Sequence, residues 1–145
     1  MDESLLGWMA GIIDGEGSIY VTPRARYVSP RVQITNTEME LLVPIQIAFG
    51  GCIYEKRPSK NDIIKRRKKC YALMLSGNCA IGILKEVLPY LKSLRKIEVA
   101  KLAVEYWDGR RPMMPGVKLT PNDLQRMKDY QDRIKSANRS HHTFK

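Results

Sequence analysis

The fold of this chain is decided by residues 8–18, which read Trp8-Met9-Ala10-Gly11-Ile12-Ile13-Asp14-Gly15-Glu16-Gly17-Ser18. Apolar and small residues run into two acids, each followed by a glycine, and an alternating apolar and polar stretch comes next. This order predicts a helix that ends at the acids and a strand that begins after them. The acids would then stand together at one end of the helix.

Gly7 and Gly11 lie one helical turn apart in the same segment. A glycine in a helix interior costs about 1 kcal/mol, so two of them indicate close approach by a second helix. If that helix belongs to a second copy of the chain, the interface would contain Gly7, Ala10, Gly11 and Asp14. Each copy would deliver one Glu16 to the shared axis, and two adjacent carboxylates favour a divalent cation between them.

Residues 9–17 resemble the LAGLIDADG motif of homing endonucleases, and the likeness extends more weakly through about residue 107. The resemblance implies an α+β fold with an αββαββα core, a saddle-shaped antiparallel sheet and, here, an extra C-terminal helix. We expect one domain with its core at residues 1–110, a helical extension at 111–138 and a flexible tail at 139–145. Only one copy of the motif is apparent, which predicts a homodimer.

The resemblance also implies a catalytic site. Glu16 aligns with the family's final acid and is the expected ligand of a catalytic Mg²⁺, which Mn²⁺ could replace; the Gly15 carbonyl is a second candidate ligand. Asp14 aligns with an acid that is more often structural. Asn36 occupies the position of a polar residue near the water network. A basic residue near the long helix usually completes the site, and Lys92, Arg95 and Lys96 all remain candidates because this segment is shifted by a residue.

Net charge points to a polyanionic partner. Lys and Arg number 25 against 15 Asp and Glu, a formal charge of +10. No basic residue precedes Arg24, whereas residues 56–69 carry a dense basic cluster. We expect that cluster to contact phosphate, which positions a protein on DNA without reading its sequence.

Alternation with a period of two predicts which side chains face outward from the two hairpins. An antiparallel ribbon fits the DNA major groove, where Arg pairs with guanine and Gln with adenine. The double-stranded DNA contacts expected from the two hairpins are Tyr20, Thr22, Arg24, Arg26, Ser29, Arg31, Gln33, Thr35, Tyr54, Lys56, Lys68 and Cys70. Arg66 and Arg67 are expected to contact phosphate from the loop that connects the strands of the second hairpin.

The remaining pattern predicts the order of elements. We expect helices at residues 4–14, 38–49, 78–88 and 90–107, and a final helix from Thr120-Pro121. Asn78 would cap its helix, and Pro44 would kink the second helix or force an earlier break. The predicted strands follow Gly17 and cover residues 31–35, 52–56 and 69–75.

Cysteine spacing and hydropathy argue against a disulfide-rich, a zinc-binding and a membrane protein. Cys52, Cys70 and Cys79 show no paired or CxxC spacing, which argues against a disulfide framework or zinc site and favours an intracellular, reducing compartment such as the cytoplasm, nucleoid or an organelle. No run is long and apolar enough to indicate a membrane partner. His141 and His142 are interpreted as part of a disordered tail.

Three functions are compatible with the sequence. The first is a homodimeric, sequence-specific DNA endonuclease of an intron or intein-like mobile element. The second is a DNA-binding regulator that does not cleave, although binding alone does not require Glu16. The third is an RNA maturase on the same scaffold, which basic charge and exposed aromatics do not distinguish from a DNA-binding protein.

Overall fold

A computed structural model describes residues 1–24, 27–56, 69–110, 116 and 118–140. In chain order the elements are α1 (Glu3–Glu16), β1 (Gly17–Pro23), β2 (Val28–Asn36), α2 (Met39–Phe49), β3 (Cys52–Lys56), β4 (Cys70–Ser76), α3 (Asn78–Val87), a 3-10 turn (Leu88–Tyr90), α4 (Leu94–Gly109) and α5 (Pro121–Ser140). The predicted αββαββα order is confirmed, and α4 and α5 follow it.

The four strands form one antiparallel sheet in the order β1-β2-β4-β3. Ile19 lies opposite Val32, and Val32 lies opposite Leu75, so one face of the sheet is a continuous apolar surface. The helices pack on this face and enclose the core, whose fully buried side chains include Met9, Ile34 and Tyr106. The polar residues of the alternating pattern therefore lie on the opposite face, called here the open sheet face.

The last helix closes one edge of the sheet. Ile134 and Ala137 of α5 are buried, and Asn138 Nδ2 donates a hydrogen bond to the Ile19 carbonyl of edge strand β1 at 3.0 Å. A reciprocal capping box starts α5: the Asp123 N–H donates to the Thr120 hydroxyl, and the Thr120 N–H donates to the Asp123 carboxylate. The bond gives the Ile19 carbonyl of this edge strand a partner within the chain.

Several boundaries differ from the predicted ones. The first helix continues to Glu16, and α2 passes through Pro44 without a break. The long helix starts at Leu94 rather than residue 90, because Ser93 is its N-cap. Asn78 does not cap α3; Gly77, with φ 58°, holds that position. Helix α5 reaches Ser140, so residues 139–140 are helical where a tail was predicted, and residues 141–145, with both histidines, lie outside the described residues.

Cys52, Cys70 and Cys79 are all free thiols. Among the helices of the described residues, none has the length and apolar character needed to cross a membrane.

Candidate functional site

Helix α1 has a core face and an open face. Leu6, Met9 and Ile13 are buried on the core face. On the opposite side a Cβ built at Gly7, Gly11 or Gly15 would meet nothing within 4 Å. These three glycines define what is called here the open face of α1. Because glycine has no side chain, a second helix could approach this face until the two backbones are in contact.

One predicted interface residue is on the wrong side of this helix. Ala10 is fully buried. It lies in the same stripe as Leu6 and Met9 and packs into the chain's own core, so the prediction that Ala10 belongs to a dimer interface is wrong. Gly7 and Gly11 do lie on the open face, as expected for an interface that needs close helix approach.

Asp14 is engaged within its own chain. Its carboxylate accepts hydrogen bonds from the Lys92 N–H at 2.8 Å and the Ser93 N–H at 3.1 Å. These N–H groups stand at the N-terminal end of α4, where the helix dipole favours a negative charge. Asp14 therefore joins the end of α1 to the start of α4, which is a structural role within the chain, and its place in a dimer interface stays a prediction.

Lys96 secures the same junction from the other side. Its side chain is only 6% exposed, and its Nζ donates to the carbonyls of Ile13 at 2.6 Å and Asp14 at 2.5 Å. Burial lowers the pKa of the Lys96 ammonium, as does the nearby Arg95 charge, while Asp14 acts in the opposite direction. Because the amine satisfies the last carbonyls of α1, Lys96 acts as a brace for the helix end.

The three predicted basic candidates thus differ in placement. The Lys92 N–H binds Asp14, and the side chain of Lys92 is exposed. Arg95 is half-buried and close enough to Lys96 to lower its pKa. Lys96 faces the backbone of α1. Of the three, Lys92 and Arg95 keep the catalytic role as a prediction.

Glu16 is presented outward from this braced end. Its side chain is exposed, and Asn36 Nδ2 donates to Oε2 at 2.7 Å. The Asn36 Oδ1 accepts the Glu38 N–H at 2.9 Å, which fixes the amide so that its NH₂ group faces Glu16. The polar residue expected at the end of the second strand is therefore in direct contact with the candidate metal ligand.

Gly17 is a site residue that the motif contains but sequence reasoning did not single out. Its N–H donates to the Ile13 carbonyl, and a Cβ there would lie 2.8 Å from that oxygen and 2.9 Å from Ile13 Cα. Only glycine allows the chain to leave α1 this tightly. The signal that could have revealed it is the glycine directly between the last acid and the first alternating residue.

The donor set of one chain fits a hard divalent cation only in part. Glu16 and the Gly15 carbonyl offer oxygen ligands, which suit Mg²⁺. Within the described residues no three acidic, histidine or cysteine side chains cluster as a complete site. Mg²⁺ usually keeps several waters and takes substrate phosphate as a ligand, so one carboxylate per chain is compatible with a site that a second copy and DNA would complete.

The open sheet face has the predicted register. Tyr20 lies opposite Arg31, and Ser18 lies opposite Gln33. Residues of this face that alternation predicted correctly are Tyr20, Thr22, Ser29, Arg31, Gln33, Thr35, Tyr54, Lys56 and Cys70. Members that the prediction missed are Ser18, Cys52, Ala72, Met74 and Ser76.

Ser29 does not serve as an accessible contact on that face. It is only 4% exposed, and its hydroxyl donates to the neighbouring Pro30 carbonyl at 3.5 Å. The prediction that Ser29 reads DNA is therefore wrong, because the position is buried despite its outward register. Arg24 is exposed beyond the end of β1. Arg26, Arg66, Arg67 and Lys68 lie outside the described residues.

Comparison with known structures addresses the fold as a whole. The archaeal intron-encoded homing endonuclease I-Vdi141I, solved in complex with DNA, aligns with a TM-score of 0.69 at 20% identity, over 99% of this chain and 91% of that one. LAGLIDADG homing endonuclease I-GzeII, in complex with its DNA target, aligns with a TM-score of 0.59 at 17% identity over 87% of this chain. The chain has the LAGLIDADG homing endonuclease fold.

The second and third neighbours differ in length from this chain. I-SmaMI, bound to uncleaved DNA in the presence of calcium ions, aligns with a TM-score of 0.51 at 17% identity over 94% of this chain. This chain spans 43% of I-GzeII and 44% of I-SmaMI. No family model and no curated protein matches the sequence. The homing endonuclease fold is thus recognised through structure, with the motif at the end of α1 as its sequence counterpart.

Proposed function

We propose that this chain is a homodimeric, site-specific endonuclease that cuts a long pseudo-palindromic double-stranded DNA target by metal-dependent phosphodiester hydrolysis. The observation that carries the proposal is the exposed Glu16 carboxylate, held by Asn36 at the end of α1. The open face of α1 adjoins it. Neighbours of the same fold were solved on DNA, which supports DNA as the partner.

The open face of α1 supports dimerisation. A two-fold axis along this face would bring the two α1 helices into backbone contact at Gly7 and Gly11. The two Glu16 carboxylates would then flank the axis. Each copy would present one open sheet face to one half of the target, so the target should have related half-sites.

The metal would be held by Glu16 and the Gly15 carbonyl. When bound, Mg²⁺ supplies a water of lowered pKa and neutralises charge on the phosphate and the leaving oxygen. The chain's own contribution is orientation: Asn36 fixes Glu16, Gly17 permits the tight exit from α1, and Lys96 with Asp14 braces the helix end.

An exposed acid beside a DNA-binding surface also supports cleavage over simple binding. Without a cation, Glu16 would repel the phosphates that the +10 chain attracts. A regulator or an RNA maturase has no use for this repulsion. The proposed role in homing of a mobile element extends the same endonuclease activity to its biological setting.

The test is cleavage of a plasmid library that carries randomised inserts. Wild-type protein is incubated with the library in Mg²⁺, Mn²⁺, Ca²⁺ or EDTA, and linearised plasmids are sequenced. The proposal predicts linear products with a shared, two-fold related motif in Mg²⁺ and Mn²⁺ and none in EDTA. Selective DNA binding without cleavage in either metal would contradict it in favour of a regulator, and preferential binding of structured RNA over every duplex would favour a maturase.

A further inference from the structure

A row of hydrogen-bonded side chains crosses the open sheet face. The Tyr20 hydroxyl on β1 donates to Gln33 Oε1 on β2 at 3.3 Å, and Gln33 Nε2 donates to the Tyr54 hydroxyl on β3 at 3.5 Å. Strand β4 separates β2 from β3, and the small Ala72 lies opposite Tyr54 in the ladder. The Tyr54 phenol therefore reaches across β4, and Gln33 has a tyrosine on each side.

Arg31 gives this row a direction. It lies directly opposite Tyr20 in the β1–β2 ladder, and a guanidinium has donors only. Towards Arg31 the Tyr20 oxygen can therefore only accept, which leaves the Tyr20 hydrogen for Gln33 Oε1. Met74 Sδ also lies 3.7 Å from the Tyr20 hydroxyl, but a thioether is the weaker acceptor. Burial raises the pKa of Tyr20 in spite of Arg31, so the phenol remains a donor at neutral pH.

The direction fixes which end of the Gln33 amide carries oxygen. Tyr20 donates to Oε1, and Nε2 donates to Tyr54. A carboxamide has two N–H donors and two acceptor positions. The tyrosines use one of each, so one N–H and one acceptor position remain. This is the pair that an adenine edge requires, with N7 as acceptor and N6 as donor.

We propose that Tyr20 and Tyr54 are positioning residues that lock the Gln33 amide for recognition of adenine, and that Arg31 acts on the same base through Tyr20 instead of reading a guanine separately. The proposal rests on the proposed function, because it takes the open sheet face as the DNA-contacting surface. It revises the expectation that Arg31 and Gln33 read independent bases. Locking removes the flipped amide, which would present a donor where adenine also presents one.

The expected size follows from bidentate base contacts. A good contact of this kind discriminates by about 5- to 150-fold against the wrong base. Loss of the Gln33 side chain should remove this discrimination at one position of each half-site. Loss of either tyrosine hydroxyl should reduce the discrimination at that same position. Without both hydrogen bonds the Gln33 amide is free to rotate, and DNA binding must then order it at a cost in side-chain entropy.

The experiment selects duplexes with a randomised window at two salt concentrations, followed by sequencing of the bound fraction. The variants are Gln33→Ala, Tyr20→Phe, Tyr54→Phe and Arg31→Ala. Tyr27→Phe is the matched control, since the Tyr27 ring packs edge-on against Trp107 away from this row. Far-UV circular dichroism confirms that each variant is folded.

We expect all four test variants to relax one and the same adenine position, while the Tyr27→Phe profile matches the wild type. Tyr20→Phe should add little to Gln33→Ala in the double variant, since both act through one amide. Gln33→Glu should exchange adenine for cytosine, because a carboxylate has acceptors only and pairs with the cytosine amine.

Two results would overturn the inference while leaving the proposed function intact. One is a tyrosine variant that keeps the full adenine preference that Gln33→Ala loses. The other is an Arg31→Ala variant that relaxes a separate guanine position. Failure of the wild type to enrich any motif would instead refute sequence-specific DNA recognition by the chain, and the inference with it.

Discussion

Asp14 and Glu16 lie two residues apart at the end of the same helix, but the fold uses the two acids in opposite ways. Asp14 accepts two backbone N–H groups from the start of α4, and its own carbonyl is bound by Lys96. Glu16 is exposed, with Asn36 as its hydrogen-bond partner. The two acids divide the motif into a structural half, at Asp14, and a proposed chemical half, at Glu16, with Gly15 between them. Substitutions should therefore separate stability from activity.

The largest effect is expected at Glu16. Glu16→Gln keeps the size of the side chain and removes the proposed ligand charge, so single-turnover cleavage in Mg²⁺ should fall by about 10³-fold or more. The thermal unfolding midpoint should stay near that of the wild type, because the carboxylate supports no buried contact. DNA affinity in Ca²⁺ should be equal or higher. Wild-type cleavage by this variant would remove Glu16 from the chemistry.

The next effect concerns the open face of α1. A Cβ at Gly11 would meet nothing within 4 Å in the single chain, so the fold should tolerate Gly11→Leu, whereas backbone contact with a second α1 would be blocked. Analytical sedimentation should show a shift from dimer to monomer, with loss of double-strand cleavage. Gln125→Leu is the matched control for added hydrophobicity, because the Gln125 side chain is exposed on α5. An unchanged dimer for Gly11→Leu would show that the interface lies elsewhere.

Asp14→Asn tests the structural half of the motif. An amide oxygen replaces a carboxylate that accepts two N–H groups, and hydrogen bonds to a charged group are worth about 1.5–3 kcal/mol. For a domain of this size the midpoint of thermal unfolding should fall by roughly 4–10 °C. An unchanged midpoint would mean that the bonds to Lys92 and Ser93 contribute nothing to stability.

Two glycines of the motif should respond differently to the same added methyl group. A Cβ at Gly17 would lie under 3.0 Å from the Ile13 backbone, whereas a Cβ at Gly15 meets nothing. Gly17→Ala should cost about 1–3 kcal/mol of unfolding free energy through overpacking. Gly15→Ala should leave it unchanged or raise it slightly, as for an exposed helical glycine. Chemical denaturation of both variants measures the difference, and equal stability would contradict the tight exit from α1.

The smallest effect is expected at Lys96. Lys96→Met removes two hydrogen bonds but also a buried charge, so the net loss should be about 1 kcal/mol. Since the folded-state pKa of Lys96 lies below its ordinary value of 10.5, the folded protein binds fewer protons between those two values. Wild-type stability relative to the variant should therefore rise with pH in that window.

Local patterns in the sequence were sufficient for much of this molecule. Alternation after Gly17 predicted the strands and the face on which Tyr20, Gln33 and Tyr54 lie. The glycines and acids of residues 8–18 predicted the helix end and its exposed Glu16. These features depend on residues that are close in sequence, so the periodicity of apolar and polar residues is sufficient to predict them.

Long-range contacts account for the errors. The segment before α4 remains extended through Ser93 because Asp14, 79 positions away, binds its N–H groups. Ala10 is drawn into the core by the packing of α1 on the sheet, which a small-residue stripe does not reveal. The hydrogen-bonded row through Gln33 depends on the strand order β1-β2-β4-β3, which alternation alone does not specify.

The division between Asp14 and Glu16 is tested most directly by single-turnover cleavage of a selected target in Mg²⁺ by both variants, at a temperature below the unfolding transition of each. We expect folded Asp14→Asn to retain a rate within about tenfold of the wild type, whereas Glu16→Gln should give no product above the EDTA control. Equal loss of cleavage in both folded variants, or an active Glu16→Gln beside an inactive Asp14→Asn, would contradict it.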